Sequence, residues 1–144
     1  MYFPDLSPYP RSILEAALNP ISVGWLAKSH IYAHGAVSEE FKQLLFEFCL
    51  NSVCKTRGFH NCEFCIPRSE LPILIQQGDR EIWLGSAEIR VVYGEKVYAA
   101  PNLIYHYIIA HNYNPPEEFI EAVLKGIPSG SIEYQILTEK HWKW

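Results

Sequence analysis

Gly58-Phe-His60-Asn-Cys62-Glu-Phe-Cys65 is the segment of this 144-residue chain whose residue types and spacing most invite chemistry. A C-x2-C turn brings two thiolates within reach of one ion, and sulfur with imidazole suits zinc. His60, two residues ahead of the first thiol, stands where it can join the ion or orient another ligand from behind. A tetrahedral set needs further donors, and His30, His34, Cys49, Cys54, His106 and His111 are the available suppliers. His106 and His111 fall on one expected helix, but five residues apart rather than the four that share a face. Their side chains therefore leave it about 140° apart. His106 is expected to meet the cysteine loop. His111, in line with Leu103, Ile104, Tyr107 and Ile108, is expected in the core. The expected metal set is thus His60, Cys62, Cys65 and His106, with zinc as the ion. The same residues also fit a simpler state, in which Cys62 and Cys65 are reduced and half-buried among packing residues.

Other chemistries lack their parts. A zinc nucleobase deaminase requires H-x-E and then P-C-x-x-C; here no H-x-E occurs, and Asn61 precedes Cys62. A thioredoxin-type dithiol opens a helix, whereas Pro67 closely follows Cys65. There is no G-x-G-x-x-G, no phosphate-binding loop and no G-x-S-x-G. Cys54 or Cys62 beside a histidine would make a nucleophile only if the fold brought the pair together.

The elements that must position these residues form an α+β pattern. Residues 1–11 carry three prolines and read as an extended arm. Arg11–Leu18 and Ser22–Lys28 are expected as short helices, the first closed by Asn19-Pro20. The strongest helix signal starts at Ser38, with Glu39 and Glu40 in its first turn and Phe41, Leu44, Leu45, Phe48 and Cys49 as one apolar stripe. Lys55–Pro72 reads as an irregular loop. Ala87–Tyr93 and Lys96–Ala99 are strand formers around Gly94-Glu95, giving a hairpin over about 87–99, with a third strand at Glu81–Leu84. Pro101 is expected to open a helix to His111, and Pro115-Pro116-Glu117-Glu118 another, ending at Gly126. Ser131–Leu137 reads as one more strand and 138–144 as a tail. Together these predict a small antiparallel sheet covered by several helices in a single compact α+β domain over residues 1–144.

Hydrophobic residues at 49% and charged residues at 19% exclude intrinsic disorder. The formal net charge of −4 argues against a general nucleic-acid binder. Val97–Pro116 is the longest run without Asp, Glu, Lys or Arg, but Pro101, Pro115 and Pro116 make it a core segment rather than a membrane span. The first residues, Met1-Tyr-Phe-Pro-Asp-Leu-Ser-Pro, have neither a basic nor an apolar leader region, so a cytoplasmic location is expected. Four cysteines there are thiols or metal ligands rather than disulfides. Glu117, Glu118 and Glu121 are read as helix-dipole partners, and Trp142 and Trp144 as packing back onto the domain.

Several segments taken together carry a resemblance: Met1-Tyr-Phe-Pro-Asp-Leu-Ser-Pro-Tyr9, Gly58–Cys65, Gly85-Ser-Ala-Glu-Ile-Arg-Val91, Tyr98-Ala-Ala-Pro-Asn-Leu-Ile-Tyr-His-Tyr107 and His111-Asn-Tyr-Asn-Pro-Pro116. Over Met1 to about Leu124 the chain resembles a family of small, stand-alone bacterial proteins. The resemblance implies a cytoplasmic bacterial domain and brings no activity with it. By its general character, small, acidic and rich in aromatics, the chain is also similar to immunity proteins. The first expectation is therefore a binding protein that neutralises a basic, nuclease-type toxin, with association speeded by charge complementarity. The second is a small zinc-dependent enzyme using Cys62, Cys65 and a histidine.

Overall fold

Ser38 starts the first helix by accepting the Phe41 N–H on its hydroxyl at 3.1 Å, so one of the unpaired donors of the first turn is satisfied. Helix α1, Glu39–Leu50, then buries Phe41, Leu45, Phe46, Phe48 and Cys49. The computed structural model of the protein describes residues 2–9, 19–53, 59–65 and 72–126. Among these residues the elements run β1 (Ile21–Ser22), α1, β2 (Ile73–Gln77), β3 (Arg80–Leu84), β4 (Glu88–Tyr93), β5 (Lys96–Pro101), α2 (Ile104–His111) and α3 (Glu117–Lys125).

The β4–β5 hairpin forms as expected, pairing Val91 with Tyr98 and Tyr93 with Lys96. Gly94 takes a φ of +63° at the first of its two turn positions, a conformation that glycine enters without steric cost. The third strand of this sheet is not Glu81–Leu84 but β1, which runs parallel to β5 with Ile21 opposite Tyr98. Glu81–Leu84 lies instead in β3, paired antiparallel with β2 in a separate two-stranded sheet. The structure is therefore α+β, with a small mixed sheet, a second hairpin and three helices among the described residues.

Two other expectations change. Ser22–Lys28 forms no helix: Ser22 is the last residue of β1, and the Val23 N–H continues the pairing by donating to Ala99 O at 3.0 Å. Gly24 then adopts a φ of +79° and donates its N–H to Asp5 Oδ1. Pro101 does not open α2 but ends β5, and the helix starts at Ile104 after a turn at Asn102-Leu103. The N-terminal arm lies along β1: the Leu6 N–H donates to Ser22 O and the Ser22 N–H to Ser7 O. The expected helix Arg11–Leu18, the expected strand Ser131–Leu137 and the tail 138–144 lie outside the described residues.

One apolar cluster joins these parts. Phe41, Leu45 and Phe48 of α1 share it with Ile89, Val91 and Tyr98 of the sheet, Ile104 and Ile108 of α2, and Phe119 and Val123 of α3. Each fully buried side chain of this kind contributes about 1.5–3 kcal/mol relative to exposure. The uncharged run from Val97 is thus spent on β5 and the buried face of α2. Among the described residues no helix is long and apolar enough to cross a membrane.

Candidate metal centre

The cysteine loop is fixed where it enters and where it turns. The His60 N–H donates to Gly85 O at 2.8 Å, and Gly85, with φ +107°, leaves room for that approach. A Cβ on Gly85 would run into the His60 carbonyl oxygen, so only glycine lets the two backbones lie this close. Gly85 is held in turn by its own N–H, which donates to Asn102 Oδ1 at 2.7 Å. Further along, Glu63 Oε1 accepts the Lys28 N–H at 3.3 Å. Between the two cysteines Phe64 packs edge-on against Tyr32 and Tyr107 and lies 5.6 Å from the His111 ring.

Helix α2 brings the imidazoles. Its last residue is His111, and Asn112 stops it in the left-handed conformation, φ 54° and ψ 29°, with its N–H returned to Tyr107 O. That is a common helix ending, and asparagine tolerates it. The His111 carbonyl accepts the Tyr32 hydroxyl at 2.8 Å. Just beyond, the buried Tyr113 hydroxyl donates to Asp5 Oδ2 at 2.7 Å, tying the helix end to the N-terminal arm.

One donor atom from each of Cys62, Cys65, His106 and His111 lies within 4.8 Å of all the others. His106 Nε2 is 3.3 Å from Cys65 Sγ, and His111 Nε2 is 3.3 Å from Cys62 Sγ and 3.6 Å from Cys65 Sγ. Around a tetrahedral ion with bonds of about 2.3 Å to sulfur and 2.0–2.1 Å to nitrogen, each S···N edge is roughly 3.5 Å. The three observed edges match that spacing. The group can hold a metal ion.

Burial sets the charge states. Cys62 is 2% exposed, and burial pushes its thiol up to about 11, against the lowering by the backbone amides of Phe64 and Cys65. Those amides face the sulfur, the Phe64 N–H at 3.4 Å, and would favour a thiolate once an ion is bound. Burial lowers His106 to about 4, helped by the neighbouring His111, and burial also lowers His111. Both imidazoles are therefore neutral near pH 7 and offer free lone pairs. Binding a divalent ion here displaces protons from sulfur rather than from nitrogen.

Of the expected ligands, Cys62, Cys65 and His106 converge. His60 does not: it is exposed and lies outside the group, because its backbone is turned to Gly85 just before the loop reaches Cys62. His111 takes the fourth place although spacing along the helix sends it elsewhere. The 140° separates the Cα–Cβ directions, whereas Nε2 sits at the far tip of each ring, and the two rings lean together with centroids 5.0 Å apart. A histidine at the final residue of a helix, followed by Asn, was the available signal. Cys49 is buried with its thiol 3.8 Å from Asn102 O, His30 stacks on Tyr2 and His34 on Tyr32. Cys54 lies outside the described residues.

No curated protein and no solved structure matches the chain. A family model does match residues 1–124, a span that includes all four converging side chains. The chain thus belongs to the family described as a domain of unknown function, DUF7919.

Proposed function

We propose that the protein is a zinc-binding α+β domain in which Cys62, Cys65, His106 and His111 hold one structural ion. The observation that carries this reading is the pair of contacts at Cys65, whose Sγ lies 3.3 Å from His106 Nε2 and 3.6 Å from His111 Nε2. Both separations match the S···N edge of roughly 3.5 Å expected around a tetrahedral zinc. Two sulfurs and two nitrogens are a borderline-soft set suited to zinc. Four protein ligands leave no open position for water or substrate, which favours a structural ion over a catalytic one. A reducing cytoplasmic compartment would keep both thiols available. Toxin neutralisation draws less support. Two of the three α3 acids are engaged within the protein, Glu118 by the Tyr98 hydroxyl and Lys96, and Glu121 by the Tyr93 hydroxyl and Lys125.

Elemental analysis of protein purified without chelators tests the proposal and should give about one zinc per chain. Cobalt(II) in its place should give the absorption bands of a tetrahedral sulfur–nitrogen site. Metal well below one per chain after loading with zinc, or an octahedral cobalt spectrum, would overturn it.

A further inference from the structure

We infer that this centre, resting on the zinc reading above, is also a thiol-redox switch: a peroxide-class oxidant joins Cys62 to Cys65 and expels the ion. The two sulfurs belong to one C-x2-C turn and lie within 4.8 Å of each other. Closing them to the disulfide length of about 2.05 Å requires movement within that turn. Their exposures divide the work. Cys65 is half-buried and accessible to a small oxidant, while Cys62 is 2% exposed and shielded, so Cys65 is the attacking sulfur and Cys62 the resolving one.

The step balances as follows. The Cys65 thiolate attacks one oxygen of hydrogen peroxide, the O–O bond breaks, hydroxide leaves, and Cys65 becomes a sulfenic acid whose hydrogen arrives with the transferred oxygen. The Cys62 thiolate then attacks the Cys65 sulfur, an S–S bond forms, the S–O bond breaks and a second hydroxide leaves. Each sulfur gives up one electron, the peroxide takes both, and the divalent ion departs to water unchanged in oxidation state. The centre is left with His106 and His111 alone.

The geometry makes the event consequential. Phe64 lies between the two cysteines and packs on Tyr32, Tyr107 and His111. A disulfide that shortens the turn and frees both histidines therefore also moves the ring that covers α2.

The test treats zinc-loaded full-length protein with increasing hydrogen peroxide. It follows released zinc with a chromogenic chelator and maps the cysteines by peptide mass. The expected result is one zinc released per Cys62–Cys65 disulfide, with rebinding after a dithiol reductant and added zinc. Zinc retained while peroxide oxidises other residues would overturn the switch and leave the metal site standing. So would release accompanied by a disulfide to Cys49 or Cys54, or by sulfinic acid at Cys65. Failure of the protein to load zinc at all would overturn the metal reading and the switch together.

Discussion

Arg90 and the Cys62–His111 corner are both polar groups set into an apolar interior, and they are completed in different ways. The guanidinium of Arg90, fully buried, meets Glu88 Oε1 at 2.8 Å, donates to Ile89 O at 3.1 Å and lies over the Tyr9 ring. The Tyr9 hydroxyl donates to the same carboxylate oxygen at 2.9 Å. Charge there is balanced by charge from within the chain, which is what a buried ion requires. At the other corner two sulfurs and two neutral imidazoles converge, with Cys65 Sγ in contact with both rings. That group could hold a cation, which the sequence itself does not supply. The first group is closed by folding alone, and on the proposed reading the second is closed by folding plus an ion.

The comparison breaks most visibly at the sulfur. Cys62→Ser should abolish stoichiometric metal and lower the melting temperature by roughly 10 °C or more, because binding energy at such a site is folding energy. A chelator should do the same to the native protein and nothing further to the variant. An unchanged calorimetric melt would show that the corner closes without an ion. Arg90→Met strikes the other group. It leaves Glu88 without its buried partner and should cost about 3–5 kcal/mol in a denaturant titration. Zinc content per folded chain should stay at the wild-type level, and loss of the ion there would show that the two regions are not independent.

Acid sharpens the contrast. In metal-free protein His106 stays neutral down to about 4 and His111 is also lowered, whereas an unfolded histidine takes up its proton near 6.5. Between those values the unfolded chain binds more protons, so stability is present above pH 6.5 and is lost as pH falls toward 4. The denaturation midpoint of metal-free protein should be lower near pH 5 than near pH 7. An equal midpoint would mean that the imidazoles are solvated rather than packed. Gly85→Ala acts from outside the ligand set. Its Cβ would press on the His60 carbonyl and displace the loop, and zinc affinity should drop about tenfold or more. Gly78→Ala, also at a positive φ but with open space around it, should cost roughly 1 kcal/mol of stability and leave the affinity intact. Smallest of all is His60→Ala, expected to keep the metal and to change stability by less than about 0.5 kcal/mol. Metal loss in that variant would restore His60 to the ligand set.

What could be read from the chain follows the range of the forces involved. Ser38 with its acidic first turn and the two runs around Gly94 act over a few residues, and both elements appear where those local signals put them. The C-x2-C pair is likewise local. Ser22–Lys28 was not legible, since its non-helical course depends on Ala99 and Asp5, far away in sequence. Nor was β2, whose Ile73-Leu74-Ile75 becomes a strand by pairing with β3 across the Gly78-Asp79 turn. The converging group differs from the expected ligand set at its edges for a related reason. Helical spacing describes where side chains begin, and a metal responds to where their tips end. His111 lies at a helix terminus, where tertiary partners such as Tyr32 and Asp5 settle the backbone.

The hydrogen bond from Tyr113 to Asp5 spans 108 positions of chain. At a synthesis rate of about 5–20 residues per second, Asp5 waits roughly 5–20 s on the ribosome before its partner is even made. The Gly24 N–H, by contrast, can reach the other oxygen of the same carboxylate within the first seconds. Birth order therefore gives the amino-terminal arm its early partners along β1 and its late one at the end of α2. The helix that carries His106 and His111 is among the last described elements to emerge, so during translation the cysteine turn exists for a time as an unpaired dithiol. A newborn chain therefore carries both thiols before the imidazoles that meet them in the finished fold exist.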